Sequence, residues 1–443
     1  MAKIALISLG CAKNQVNLEE MRHLLGAADH EIVPHAEGAD VGVINTCGFI
    51  DAAKSEAIGH IMEMGEIKTV GKLQKIIITG CLSQRYGDEI LAELPEVDAV
   101  LGTGSYYEIV SVVDRLLQGE QKIAVFGDID AALETKARAI VSAPGWAYLK
   151  IAEGCDNHCA YCVIPSLRGK FRSRPMEGLL DEARHLVEEH GVHELILVAQ
   201  DITQYGRDLY GERRLPELIQ KLAEIPELAW IRLHYLYPDG IDDALIAAIR
   251  DTEQVVPYLD IPIQHISGKI LSAMRRRGTG AEIRVLLQKL RREIPGLVLR
   301  TSLITGLPGE GEIELEELAS FLQEAKIERV GIFPYSPQEG TDAYDMPNRS
   351  TGEEAARRAE LLLDIASQIL DSFNQERLGQ ETQILCTGYD EARGLYYGRS
   401  YAESPDIDGL VWLETDRDLV LGTFYQVRYV REQDGELVGE VIA

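Results

Sequence analysis

Residues 153–162 read EGCDNHCAYC, which places Cys155, Cys159 and Cys162 in a C-x3-C-x2-C array directly behind the strand-like run AYLKIAEG. Three thiols within eight residues have the density of a metal site. Two fillings stay open on the residues alone. Structural zinc wants four closed ligands, and His158 is the residue at hand to complete the set. A four-iron four-sulfur cluster on three thiolates leaves one iron without a protein ligand, free to take a small chelating molecule.

Outward from the array the sequence is organised in repeating units. AYLKIAEG, HELILVAQ, WIRLHYLY, VVPYLDIPI, LVLRTSLITG and ERVGIFPY are separated by helical patterns, and six such units predict a partial parallel (βα)6 barrel rather than the eight-unit closure. A helix from Glu353 to about Leu378 follows. Short alternating strands from ETQILCTGY onward (LVWLET, TFYQVRYVR, LVGEVIA) then predict a small all-β barrel.

Upstream, KIALISLG, VGVINT and KIIITG alternate with helices from Asn17, from Asp51 to Glu66 and near Asp88, the order of a parallel α/β domain. Asn17 with Glu20 three positions on reads as a capping box for the first helix. The stretch around Asp128 to Gly145, poor in apolar periods, reads as a linker. A length of 443 residues accommodates roughly three domains with real cores. The expected limits are 1–125 for the amino-terminal α/β domain, 126–140 for the linker, 141–372 for the partial barrel and 373–443 for the β-barrel.

A second cysteine set is dispersed. Cys11 ends ISLGC, Cys47 ends INTC and Cys81 ends ITGC, each just past a predicted strand. Spacings of 36 and 34 residues are each about one βαβ unit. In a parallel sheet the carboxyl ends of the strands share one edge, where open α/β folds place ligands, so the three thiols should converge. The alternative is three separate buried apolar cysteines. Cys386, in TQILCTG, has no Cys or His neighbour and reads as structural.

Seven cysteines, odd in number and thinly spread, fit a reducing compartment, and the opening MAKIALISLGC lacks the pattern of a secretory signal. No stretch approaches the length of a membrane span. A cytoplasmic protein without membrane contact is therefore expected. The net charge of −28 repels phosphate backbones and attracts basic partners.

The array Cys155, Cys159 and Cys162 resembles the signature of the radical S-adenosylmethionine (SAM) superfamily. The resemblance implies that the open iron binds the amino and carboxylate groups of SAM and that one-electron cleavage yields a 5′-deoxyadenosyl radical. It also places Tyr161 near the adenine and LITGLPGE, with Gly306 and Gly309, close to the cofactor.

With the dispersed cysteines in front and the β-barrel behind, nearly the whole chain resembles the methylthiotransferases, whose barrel is the TRAM domain. Two 4Fe-4S clusters follow, the auxiliary one held by Cys11, Cys47 and Cys81. One branch of these enzymes modifies an adenosine of transfer RNA; the other, the RimO family, modifies an aspartate of the twelfth small-subunit ribosomal protein. ISLGCAKNQVNLEEM, YLKIAEGCDNHCAYCVIPSLRGKFRSRP, DIPIQHIS and GRSYAESPDIDG look like the RimO forms.

From Gln375 to Ala443, 14 acidic residues face 6 Arg and no Lys, a net of −8 that suits a basic protein substrate better than RNA. The implied reaction replaces a β-carbon C–H of that aspartate with C–SCH3, with a flavodoxin- or ferredoxin-like reductant and the enzyme as a monomer. A two-cluster electron carrier is the alternative of another class; carriers usually complete each cluster with four thiolates. Arg275, Arg276 and Arg277, together with Asp201 and His265 near strand ends, are further candidates for orienting the substrate.

Overall fold

The computed structural model describes residues 1–133 and 137–442, in two compact units. One comprises Met1–Val141, Lys150–Arg174 and Ser336–Tyr344; the other comprises Ser142–Leu149, Pro175–Tyr335 and Asp345–Ala443. Positions 134–136 of the expected linker and Ala443 of the expected last domain lie outside the described residues.

In the first unit, six strands form a sheet in the order Glu31–Val33, Lys3–Ser8, Val41–Thr46, Lys75–Gly80, Ala99–Leu101, Ile123–Val125, all pairs parallel. Both faces are covered: Ile44, Ile76 and Ile78 belong to one core cluster, Val41, Val43 and Ile77 to the other. That two-sided burial is why these strands read as unbroken apolar runs. The chain steps from Lys3–Ser8 outward to Glu31–Val33 and then back across to Val41–Thr46, so the topological switch point lies between Lys3–Ser8 and Val41–Thr46.

The first helix corrects the expected capping box. It spans Ala12–Ala27 with Cys11 as its extended N-cap, so Asn17 and Glu20 lie inside it and are buried. The N-x-x-E pattern marks a helix start only where its polar groups meet free backbone N–H donors. Here the Asn17 side chain instead accepts a hydrogen bond from Lys150 Nζ at 3.0 Å, and Glu20 accepts one from the Tyr106 hydroxyl.

In the second unit the strands Trp146–Lys150, Glu194–Val198, Trp230–Leu233, Val255–Asp260, Val298–Thr305 and Arg329–Pro334 neighbour one another in chain order in an open six-stranded sheet. The helix Gly352–Arg377 follows and packs on the last of them. Five further strands, Glu381–Asp390, Leu395–Arg399, Val411–Glu414, Glu436–Val441 and Phe424–Gln433, close into a barrel in that order.

The segment GRSYAESPDIDG is the seam between these two parts of the unit. Glu194 receives Arg232 and Arg399, each at 2.7 Å, with all three side chains at most 2% exposed. Glu403 receives Arg377 at 2.6 Å and Arg329 at 2.8 Å. Ser404 Oγ sits 2.8 Å from His234 Nε2, and the Tyr258 hydroxyl donates to Asp408 at 2.7 Å. Among the described residues no helix is long and apolar enough to cross a membrane.

Candidate functional site

Each dispersed cysteine stands just beyond a strand of the first sheet, Cys47 and Cys81 at the next residue and Cys11 three residues past Ser8. Cys11 caps the first helix, Cys47 follows Val41–Thr46, and Cys81 opens the helix Cys81–Glu93 directly behind Lys75–Gly80. Two glycines bring them together. A Cβ on Gly10, where φ is +93°, would meet Cys47 Cβ at 2.7 Å, and one on Gly48 would lie 2.9 Å from the Leu82 backbone and 3.0 Å from the Cys81 carbonyl carbon. Only a residue without a side chain allows these turns to nest.

The electrostatics report the same proximity. Burial, augmented by the Cys81 and Cys11 sulfurs, pushes the Cys47 thiol up to about 12. Burial also raises Cys81. Cys11 lies below its ordinary value, because Lys13, Arg168 and backbone donors at Asn14 and Lys13 outweigh its burial. Cys11 adds to the cost of ionising Cys47 and Cys81, and Cys81 to that of Cys47, a cost that a multivalent cation centre removes when it binds.

The array 155–162 is a loop in the same unit, held by its backbone. Cys155 N–H donates to Gly169 O at 3.1 Å, Cys162 N–H to Cys159 O at 3.0 Å, and Ala343 N–H to Ala160 O at 2.8 Å. The Asp156 carboxylate accepts from Phe171 N–H at 3.1 Å. Tyr161 is buried. None of the seven cysteines is in a disulfide.

Among the described residues no group of three or more His, Cys, Asp and Glu side chains is arranged to hold a single metal ion. Thiolates on a 4Fe-4S cluster bind different irons and need not close on one point, and two sets of three thiols fit that donor chemistry.

A short helix, Ile164–Arg168, follows the array and joins the two sets. Val163 and Leu167 share a buried cluster with Cys81. Arg168, 3% exposed, places Nε and Nη2 each 3.3 Å from Cys81 Sγ. The same guanidinium donates to Asn14 Oδ1 and pairs with Glu153 at 3.2 Å. Sequence reasoning missed Arg168, Asn14 and Glu153; Arg168 is one of four basic residues in SLRGKFRSR, and nothing local says which turns toward a sulfur.

The other expected positions lie in the second unit. Gly306, at φ +83°, packs against the helix Gly352–Arg377, where a Cβ would meet Ala355 Cβ at 2.5 Å. Its N–H donates to Glu310 at 2.9 Å, and Glu310 lies 3.4 Å from His265 Nε2 and 3.0 Å from Arg358. His265 Nδ1 accepts from the N–H groups of Ile266 and Ser267, each at 3.0 Å. Gly309, at φ +84°, has nothing closer to its Cβ position than Lys269 at 3.9 Å.

Asp201 caps the turn Ile202–Gln204. Arg276 and Arg277 stack over Tyr237 at 4.0 and 5.0 Å, and Arg277 pairs with Asp239 at 3.1 Å. Cys386 is fully buried in the β-barrel core with Ile384, Val411 and Leu413. Cys386→Ala should leave both the iron content of the reconstituted protein and its activity unchanged; iron analysis showing a lost cluster would put that thiol among the ligands.

Three family models match in order: Uncharacterized protein family UPF0004 at residues 3–102, the Radical SAM superfamily at 149–322 and the TRAM domain at 378–442. Among curated proteins, the ribosomal protein uS12 methylthiotransferase RimO of Desulforamulus reducens is 45% identical over 443 residues, covering 100% of both chains. The chain belongs to the RimO family.

Further RimO relatives are that of Caldanaerobacter subterraneus, 45% identical with 99% of this chain and 100% of the relative covered, and that of Geobacter sulfurreducens, 44% identical with 100% and 99% covered. Among solved structures, the radical S-adenosylmethionine methyltransferase TsrM from Kitasatospora setae, with cobalamin and a 4Fe-4S cluster bound, matches with a TM-score of 0.58. It is 11% identical and covers 77% of each chain, a likeness of fold.

In this RimO-family chain the Gly10 approach makes a specific prediction. Gly10→Val forces a side chain onto Cys47 at a backbone angle that L-residues rarely adopt. Iron after reconstitution should fall from about eight to about four per chain, the loss of one four-iron cluster. A normal iron count in that variant would contradict the packing argument.

Proposed function

We propose that this chain inserts a methylthio group at the β-carbon of an aspartate in ribosomal protein uS12, giving 3-methylthioaspartate. The observation that carries the reading is that one compact unit holds both cysteine triplets, with Arg168 reaching from the helix behind the array to Cys81. Cys155, Cys159 and Cys162 hold the SAM-binding cluster; Cys11, Cys47 and Cys81 hold the auxiliary one. Tyr161, Gly306 and Gly309 would serve in binding SAM. When bound, these groups supply a primary carbon radical and the sulfur to be transferred.

The protein's own residues have three tasks on this reading. Arg168 sets a buried positive charge against a thiolate-rich centre, where low dielectric strengthens the attraction. The close-packed turns at Gly10 and Gly48 hold Cys47 beside the Cys11 and Cys81 turns, which sets the spacing of the sulfur edge. The barrel from Glu381 to Val441 steers the basic substrate. Over residues 375–443, where the net charge is −8, the buried charges Glu403 and Asp408 are balanced by Arg377 and Arg399, so that net remains with the accessible residues.

Domain limits at 1–125, 141–372 and 373–443, a flavodoxin- or ferredoxin-like reductant, a monomeric enzyme and a cytoplasmic location complete the reading. The test is anaerobic reconstitution with iron and sulfide, then SAM and reductant, with uS12 and transfer RNA supplied separately and analysed by mass spectrometry. A methylthio gain on an aspartate of uS12 is expected. A gain on RNA instead would replace the substrate, and no SAM cleavage despite intact clusters would replace the chemistry.

A further inference from the structure

Arg168 comes from the helix that follows the 155–162 array, yet its donors reach the other cysteine set. Nε and Nη2, which share one edge of the guanidinium, each stand 3.3 Å from Cys81 Sγ, so a single sulfur receives a two-pronged contact. Both residues are buried, Arg168 at 3% and Cys81 at 4% exposure.

The guanidinium is placed by groups other than that sulfur. Nη2 also donates to Asn14 Oδ1, and Asn14 Nδ2 donates in turn to Leu9 O at 2.9 Å and Thr46 O at 3.0 Å. Leu9 follows the strand Lys3–Ser8 and Thr46 ends Val41–Thr46, so Arg168 is tied to the same backbone that carries Cys11 and Cys47. Nη1 donates to Glu153 at 3.2 Å. That carboxylate is shared, because Lys150 Nζ lies 3.3 Å from it, and two cations therefore face one anion. The charge beside Cys81 sits where solvent and salt screen it little.

A cluster's reduction potential is set by its net charge, by hydrogen bonds to its sulfurs and by its exposure. We propose that Arg168 sets the reduction potential of the auxiliary cluster, raising it through the Nε and Nη2 fork on Cys81. The assignment rests on the proposed function, in which Cys81 is a ligand of that cluster. One-electron reduction adds one negative charge, which the sulfurs partly carry, and two N–H donors aimed at one sulfur lower the cost of holding it. Arg168 is thus a positioning residue that acts through Cys81. Its charge and its forked shape contribute separately, since Lys would supply only the first.

The test is a redox titration of the reconstituted holoenzyme followed by electron paramagnetic resonance. SAM added to a parallel sample marks the cluster it binds, and the signal it leaves unchanged is the auxiliary one. Arg168→Gln leaves Glu153 paired with Lys150 and strands no charge there. With iron unchanged at about eight per chain, it should lower the potential of the auxiliary signal by about 59 mV, a tenfold shift in the ratio of reduced to oxidised cluster. The SAM-sensitive signal should stay in place. Arg168→Lys should fall between Arg168→Gln and wild type.

An unmoved auxiliary potential in Arg168→Gln at full iron, or equal shifts of both signals, would overturn the assignment. A wild-type potential in Arg168→Lys would overturn the role of the fork. If Arg168→Gln loses iron, Arg168→Lys decides by the same comparison. A wild-type chain that takes up only about four irons and lacks the SAM-insensitive signal would instead overturn the auxiliary cluster, and with it the function on which the assignment rests.

Discussion

Changing Cys155, Cys159 or Cys162 to Ala is expected to abolish both SAM cleavage and methylthio transfer, whereas the same change at Cys11, Cys47 or Cys81 abolishes transfer and leaves cleavage. The asymmetry follows from the proposed division of labour. A three-thiolate cluster that loses one ligand no longer presents a single open iron to SAM. The array is fixed by its own backbone bonds, Cys155 to Gly169 and Cys162 to Cys159, and so survives the loss of a thiol at Cys11, Cys47 or Cys81. Each variant should retain about four of about eight irons. The readouts are 5′-deoxyadenosine release and the mass of uS12. Full methylthiolation in any of the six variants would remove that cysteine from the ligand set.

Removing the Glu194 carboxylate should be among the most destabilising single changes in the chain. Glu194→Ala strands Arg232 and Arg399, which are 0% and 2% exposed, as uncompensated buried cations. Breaking such a pair from one side costs about 3–5 kcal/mol, far more than the net contribution of the intact pair. Glu403→Ala acts in the same way on Arg329 and Arg377. Thermal unfolding should show the loss, and a shift of under about 1 kcal/mol would mean that water reaches the seam.

Glu403 adds a pH dependence. Burial opposes its ionisation, but Arg377 and Arg329 outweigh burial and lower the carboxyl to about 2. A folded pKa below the unfolded value of about 4.3 gives stability that is present above that value and lost as pH falls toward 2. Acid unfolding of Glu403→Gln should lack that slope; an unchanged slope would assign it to other carboxylates.

The sequence made the large strands and both cysteine sets legible, because runs such as VGVINT and KIIITG are apolar on both faces and each ends at a cysteine. Glu31–Val33, Ala99–Leu101 and Ile123–Val125 were not legible, since three residues cannot display a period. Asn17 and Glu20 misled because a local pattern cannot reveal that Lys150 and Tyr106, far along the chain, claim the side chains. GRSYAESPDIDG was recognisable as a family motif, yet its packing against Glu194, His234 and Tyr258 needed the fold. Arg168 stayed hidden for the same reason: burial is a tertiary property.

The five-stranded barrel closes on itself, from Glu381–Asp390 through to Phe424–Gln433 and back. A sheet without an edge offers no row of unpaired N–H and C=O groups, so it cannot recruit an extended peptide by adding a strand. On its strands, contact with a partner is left to side chains. Recognition of that kind is set by the placement of charges rather than by the backbone, which lets it accept one folded protein and refuse another of similar composition.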